Sequence, residues 1–143
     1  PKADDNVKSD AQIIIARAAI ETGDEAKAKV AYAKVLAIAK GELAAEALYY
    51  DAYFKNKEGK FEASNAAVQK IAKNYSSYKY FGAKGLILMA KNFYGLKDSY
   101  QATYILENVI QNFTDYPDVV SEAKTELNAI KTEEAKTNSS ITK

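Results

Sequence analysis

The chain contains no cysteine and no histidine. Disulfides, thiol nucleophiles, Cys/His zinc sites and any Ser–His or Cys–His triad are therefore excluded. Tryptophan is also absent, and only two prolines and six glycines occur in 143 residues. Chain breakers are too rare for a loop-rich fold. No apolar run approaches the roughly 20 residues needed to cross a bilayer, and no secretion signal is visible. Neither charge sign dominates: 20 basic residues oppose 19 acidic ones, interspersed. That balance lacks the concentrated basic stripe of a nucleic-acid surface. There is no Asp-x-Asp-x-Asp-Gly calcium loop and no glycine-rich phosphate loop. The glycines of "GAKG" at 82–85 lie in a helical pattern with no strand before them, which favours close helix packing. Paired acids at Asp4–Asp5 and Glu133–Glu134 lie in polar ends and are read as solvated. No cofactor and no metal is implied.

What is present is helix-forming. Alanine, lysine, glutamate and leucine are abundant, and no segment alternates as a half-buried strand does. Seven helices are predicted. Ser9, three residues before Gln12, is a capping-box candidate for the first, over Asp10–Thr22. Gly23 stops it in a left-handed conformation and Asp24 caps the second, which runs to about Lys40. The third spans Glu42 to about Lys57 and the fourth Lys60 to Asn74, with Gly59 between them. The fifth opens at "SSYK" and reaches about Tyr94. Asp98 opens a sixth to Phe113, and Pro117 starts a seventh to about Ala135. Residues 1–8 are expected to form a polar leader and 136–143 a mobile tail.

The apolar pattern recurs. In the second helix of each pair, Ala28, Ser64 and Ala102 align, followed by Tyr32, Val68 and Leu106, then Val35, Ile71 and Val109, then Ala39, Tyr75 and Phe113. The spacing is 36 residues, then 38. In the first helices a small column comprises Ala16, Ala52 and Ala90, each 12 residues before its partner. Small residues at both positions allow paired helices to approach closely. Truncating Ile71 to alanine should cost about 2–5 kcal/mol.

This pattern resembles the tetratricopeptide repeat. "GLILMAKNFYGLKDSYQATYILENVI" carries the resemblance best, through Leu86, Met89, Ala90, Phe93 and Ala102. "GKFEAS" resembles the family's Gly-x-aromatic-x-x-small turn. The resemblance covers about residues 9–113, as repeats of about 9–40, 42–75 and 78–113, with a capping helix at about 117–135. It implies an all-α fold, a right-handed α/α superhelix of three helix pairs plus a C-terminal cap. The long repeats are similar to bacterial envelope forms, such as Tol-Pal coordinators and the lipoprotein of outer-membrane protein assembly. They also resemble C-terminal regions of Bacteroidota repeat proteins. An envelope or periplasmic setting follows from that resemblance alone. Counting back from Gly59 places Asp51 and Lys55 at apolar positions of the third helix. A shift of one residue places Tyr50 and Phe54 there, and both registers stay open.

The resemblance implies a non-catalytic scaffold that holds a protein or peptide in a concave groove lined by first helices. Its groove positions fall on Ile13, Arg17 and Ile20, on Tyr49, Tyr53 and Asn56, and on Lys84, Ile87, Lys91 and Tyr94. The result is an amphipathic trough with a basic end, suited to a peptide with an acidic residue. The alternative is that these tyrosines only cover gaps between repeats. An α/α hydrolase or lyase with a carboxylate site, and a purely structural spacer, are the competing functions.

The first helix, "AQIIIARAAI", is apolar nearly all round. Ile15, Ala16 and Ala19 suffice for its own pair, whereas Ile14 and Ala18 point elsewhere. The seventh helix has one stripe, Val120, Ala123, Leu127 and Ile130, while Ser121, Lys124, Glu126 and Lys131 are polar. The expectation is the C-terminal end of a longer array, beginning at Pro1 without methionine, with a possible homodimer through Ile14 and Ala18.

Overall fold

The structure is a computed structural model that describes the backbone of residues 2–142 and the side chains of residues 5–138. It is all-helical, with no strand among the described residues. The helices are α1 (Lys2–Thr22), α2 (Glu25–Ile38), α3 (Gly41–Lys57), α4 (Phe61–Asn74), α5 (Lys79–Gly95), α6 (Ser99–Asn112) and α7 (Pro117–Thr142). They pack as adjacent antiparallel neighbours, α1 on α2, α3 on α4 and α5 on α6, with α7 closing on α6. First helices also pack on one another, α3 on α5 and α5 on α7.

The repeat is written into the backbone as well as the side chains. Gly23 and Gly59 have positive φ, at 78° and 76°, and the corresponding residue of the third pair, Lys97, has φ 69°. Each ends its helix with the same two hydrogen bonds. Asp24, Lys60 and Asp98 N–H groups donate to the carbonyls of Ala19, Lys55 and Phe93, at 2.9, 2.8 and 2.8 Å. Gly23, Gly59 and Lys97 donate to Ile20, Asn56 and Tyr94, at 3.2, 3.0 and 3.0 Å. This is the left-handed C-terminal motif that satisfies the last carbonyls of a helix. Asp24 and Asp98 then cap the following helices, their carboxylates accepting from the N–H of Lys27 and Gln101 at 3.1 Å.

The aligned small columns are the tightest points of the fold. Ala16, Ala52, Ala90, Ala28, Ser64 and Ala102 are all fully buried. Val35, Ile71, Leu106 and Val109 fill the space beside them and are equally inaccessible. The column of Ala39, Tyr75 and Phe113 is only half-buried, at the helix ends. Apolar side chains gather in three clusters, each drawn from three successive helices: α1–α3, α3–α5 and α5–α7. Each unit thus buries its face against its sequence neighbours, as stacked repeats do. The close approach expected at "GAKG" is real at Gly85 alone. A Cβ there would meet Val68 Cγ1 at 3.2 Å, whereas nothing lies within 4 Å of one at Gly82.

Several expectations are corrected. Of the supposed leader, Lys2–Lys8 belong to α1, and Pro1 lies outside the described residues. Ser9 is a mid-helix residue, and its hydroxyl donates to the Asp5 carbonyl at 2.7 Å instead of capping. Of the supposed tail, residues 136–142 continue α7, and Lys143 lies outside the described residues. Neither segment contains a breaker, and extending an existing helix needs no new nucleus. In α3 the register with Tyr50 and Phe54 inward is the one adopted. Phe54 is buried, while Asp51 and Lys55 pair with each other at the surface, 2.9 Å apart. In α7 the buried stripe starts at Val119 and not Val120, then continues through Ala123, Leu127 and Ile130. Adjacent valines differ by one helical step, so either fits the periodicity until α7 is docked. In α1 the inward face is Ile13, Ala16 and Ala19, and Ile15 is exposed.

Candidate functional site

An open trough lies between the first helices α1, α3 and α5. Its volume is about 280 Å³, and its walls include Arg17, Ile20, Tyr49 and Lys84. Four of the ten residues expected to line a groove therefore meet here. Glu46, Tyr50, Tyr80 and Phe81 join them.

The walls form an aromatic ladder that crosses the repeats. Tyr32 stacks on Tyr50 with centroids 4.2 Å apart. Tyr50 meets Tyr49 edge-on at 5.0 Å, and Tyr49 faces Phe81 at 6.2 Å. Phe81 meets Tyr80 at 5.3 Å, and Tyr80 reaches Tyr116, just before α7, at 5.6 Å. Edge-on pairs, as at Tyr49–Tyr50, Tyr80–Phe81 and Tyr80–Tyr116, satisfy the ring quadrupoles. Lys84 Nζ sits 5.4 Å from the centre of the Tyr49 ring, within cation–π range.

Charges at the trough are paired within the fold. Arg17 donates through Nε and Nη2 to both carboxylate oxygens of Glu46, at 3.0 and 2.6 Å. Glu46 is buried, and the Tyr32 hydroxyl donates to it at 2.7 Å. Burial, reinforced by that hydrogen bond, pushes the Tyr32 phenol well above its ordinary range. Burial does the same to Tyr49. On the other side, three acids of α7 at four-residue spacing face α5. The Tyr80 hydroxyl donates to Asp118 at 2.7 Å, Lys84 pairs with Glu122 at 3.3 Å, and Lys91 pairs with Glu126 at 3.3 Å. The hydrogen bond to Asp118, with partial burial, pushes Tyr80 up to about 12. The same bond holds Asp118 below the usual carboxylate range.

The remaining expected groove residues lie elsewhere. Ile13 and Ile87 are core residues, 4% and 1% exposed, and cannot touch a partner. They sit three residues before the buried alanines Ala16 and Ala90, on the face that seals each pair. Tyr49, the third member of that column, is also buried and presents little to the trough. Tyr53 donates to Glu25 at 3.0 Å, Asn56 donates to Asn92 at 2.8 Å, and Tyr94 packs on the α5–α7 core. The expected basic end is not a free positive patch, because α7 supplies a carboxylate to each lysine. The signal for this was present: Asp118, Glu122 and Glu126 form an i, i+4 acidic row. Its target could be read only once α7 had a register against α5.

Among the described residues, no group of three or more His, Cys, Asp or Glu side chains could hold a metal ion. No buried side-chain nitrogen or oxygen among them lacks a partner. No helix among the described residues is long and apolar enough to cross a membrane. No family model matches the chain, and no curated protein matches it in sequence.

Proposed function

We propose that the chain is a non-catalytic scaffold of the tetratricopeptide type, and that the trough between α1, α3 and α5 holds a peptide segment of a partner protein. The observation that carries the reading is the ladder from Tyr50 through the buried Tyr49 to Phe81 and Tyr80, of which Tyr50, Phe81 and Tyr80 are the more exposed rungs that line the open groove. Tyrosine combines contact area with a hydrogen-bonding tip at low entropic cost, which suits peptide recognition. Arg17 and Lys84 flank the ladder, each already paired within the fold, to Glu46 and Glu122, and an acidic peptide residue beside an apolar or aromatic one would share their remaining donors. A second copy of the chain is a further partner, on the outer face of α1.

Selection from a random peptide display library against the full chain tests the trough. Enriched peptides should pair an acidic with an aromatic or aliphatic residue. Their affinity should fall at least about tenfold for Tyr80→Ala and Lys84→Glu, one polar hot-spot contact being worth about that much. A second reading is a structural spacer, favoured by the mutual neutralisation of Lys84 and Lys91 with Glu122 and Glu126. Enrichment of no peptide, or binding indifferent to both variants, would select the spacer.

A further inference from the structure

The outer face of α1 carries an apolar seam that none of the described residues covers. Val7, Ala11, Ile14 and Ala18 are exposed, Val7 and Ile14 to 67% each. Their spacings of four, three and four put them on one stripe, diametrically opposite the buried Ile13 and Ala16. The stripe alternates large, small, large, small. We propose that it is a self-association surface, on which α1 of one copy pairs antiparallel with α1 of a second copy.

Size selects the orientation. Antiparallel pairing centred between Gln12 and Ile13 sets Val7 against Ala18 of the other copy, and Ala11 against Ile14. All four layers then match a large residue with a small one, and the two-fold axis repeats each match, as an isologous interface requires. Parallel pairing would set Ile14 on Ile14 and Ala11 on Ala11, alternating clash with void. Charge selects the same orientation. Asp10 and Arg17 flank the stripe on one side, and antiparallel docking places Asp10 of each copy beside Arg17 of the other. Arg17 is half exposed, and its pair with Glu46 engages Nε and Nη2 of a five-donor guanidinium, so a second carboxylate has room. The seam is short, so the dimer belongs with the small, weak interfaces.

The absence of native cysteine makes cross-linking unambiguous. Val7→Cys and Ala18→Cys are prepared separately, and both positions are exposed, so the fold tolerates them. Mixed and oxidised, the two variants should give a cross-linked heterodimer. Either alone should give little, because the like positions lie eleven residues apart along the axis, about 16 Å. Sedimentation velocity on the unmodified chain, up to about 500 μM, should show a concentration-dependent dimer. Ile14→Glu should weaken it at least tenfold with unchanged circular dichroism, and Asp10→Arg should weaken it with the same monomer stability. A chain monomeric throughout, a dimer indifferent to Ile14→Glu, or single variants that cross-link as well as the mixture would each overturn the proposal.

Discussion

Asn92 and Ser64 are joined by a 2.8 Å hydrogen bond between two fully buried side chains, one on α5 and one on α4. The Asn92 amide also donates to Asn65 at 2.8 Å and accepts from Asn56 at 2.8 Å, while Ser64 donates to the Ala52 carbonyl at 2.7 Å. One asparagine thus satisfies three polar neighbours at the junction of the second and third pairs. Asn92→Ala leaves all three short of a partner and should cost about 2–4 kcal/mol. Ser64→Ala restores the alanine found at Ala28 and Ala102 and leaves Asn92 its bonds to Asn65 and Asn56. It orphans one Asn92 N–H and should cost about 1–2 kcal/mol, less than Asn92→Ala. Urea unfolding of both variants checks the order, and an equal loss would mean that the network is not centred on Asn92.

The Arg17–Glu46 pair ties α1 to α3. Arg17→Ala leaves a buried carboxylate with only the Tyr32 hydroxyl, and should cost about 2–3 kcal/mol after allowing for the half-exposed guanidinium. Arg17→Ala combined with Glu46→Gln should recover part of that loss, because no buried charge remains. A double-mutant cycle in chemical denaturation measures the coupling. A coupling near zero would show that the pair does not bind α1 to the array.

Lys97 occupies the left-handed turn position that glycine fills at Gly23 and Gly59. A side chain there costs about 1–2 kcal/mol, partly offset by glycine's greater freedom in the unfolded chain. Lys97→Gly should therefore stabilise the protein by about 0.5–1 kcal/mol. The reverse changes, Gly23→Lys and Gly59→Lys, should destabilise it, although nothing would collide with a Cβ at either site. Thermal melts distinguish the two signs.

The buried tyrosines set an alkaline limit. Tyr32 and Tyr49 are pushed up mainly by burial, and Tyr80 to about 12 mainly by its bond to Asp118. A phenol raised in the folded state holds its proton where the unfolded chain has lost it. Its stabilisation is complete below the unfolded pKa, about 10, and declines as pH rises through the folded value. The unfolding free energy should fall above pH about 10, by about 1.4 kcal/mol per unit for each of the buried Tyr32 and Tyr49 and by less for the half-buried Tyr80, whose bond to Asp118 is solvent-screened. Phenolate absorbance and helical circular dichroism followed together should show part of the eleven tyrosines titrating only as helix is lost. Full titration with the helix intact would contradict the burial of the ladder.

The register of α3 shows where sequence reading stops. One candidate register turns Asp51 and Lys55 inward and the other Tyr50 and Phe54, and the choice fell to Phe54, which is buried in the cluster that α3 shares with α1 and α2. The choice between Val119 and Val120 in α7 is the same problem. The trough shows it again: Ile13 and Ile87 carry the right spacing for a groove, and a rotation of one step decides whether such a residue faces a partner or its own pair.

Local chemistry determined the number of helices, the turns between them and their repetition, though not where α1 begins or α7 ends. Gly23 and Gly59 admit positive φ, Asp24 and Asp98 cap the helices after them, and six small residues recur at 36 and 38 positions, because these effects act within a few residues of chain. Tertiary structure alone decided which charges cancel and which tyrosines are wet. Glu122 reaches Lys84, and Glu46 reaches Arg17, only across helices whose relative rotation and height are set by the summed packing of every side chain between them. No short-range rule contains that sum.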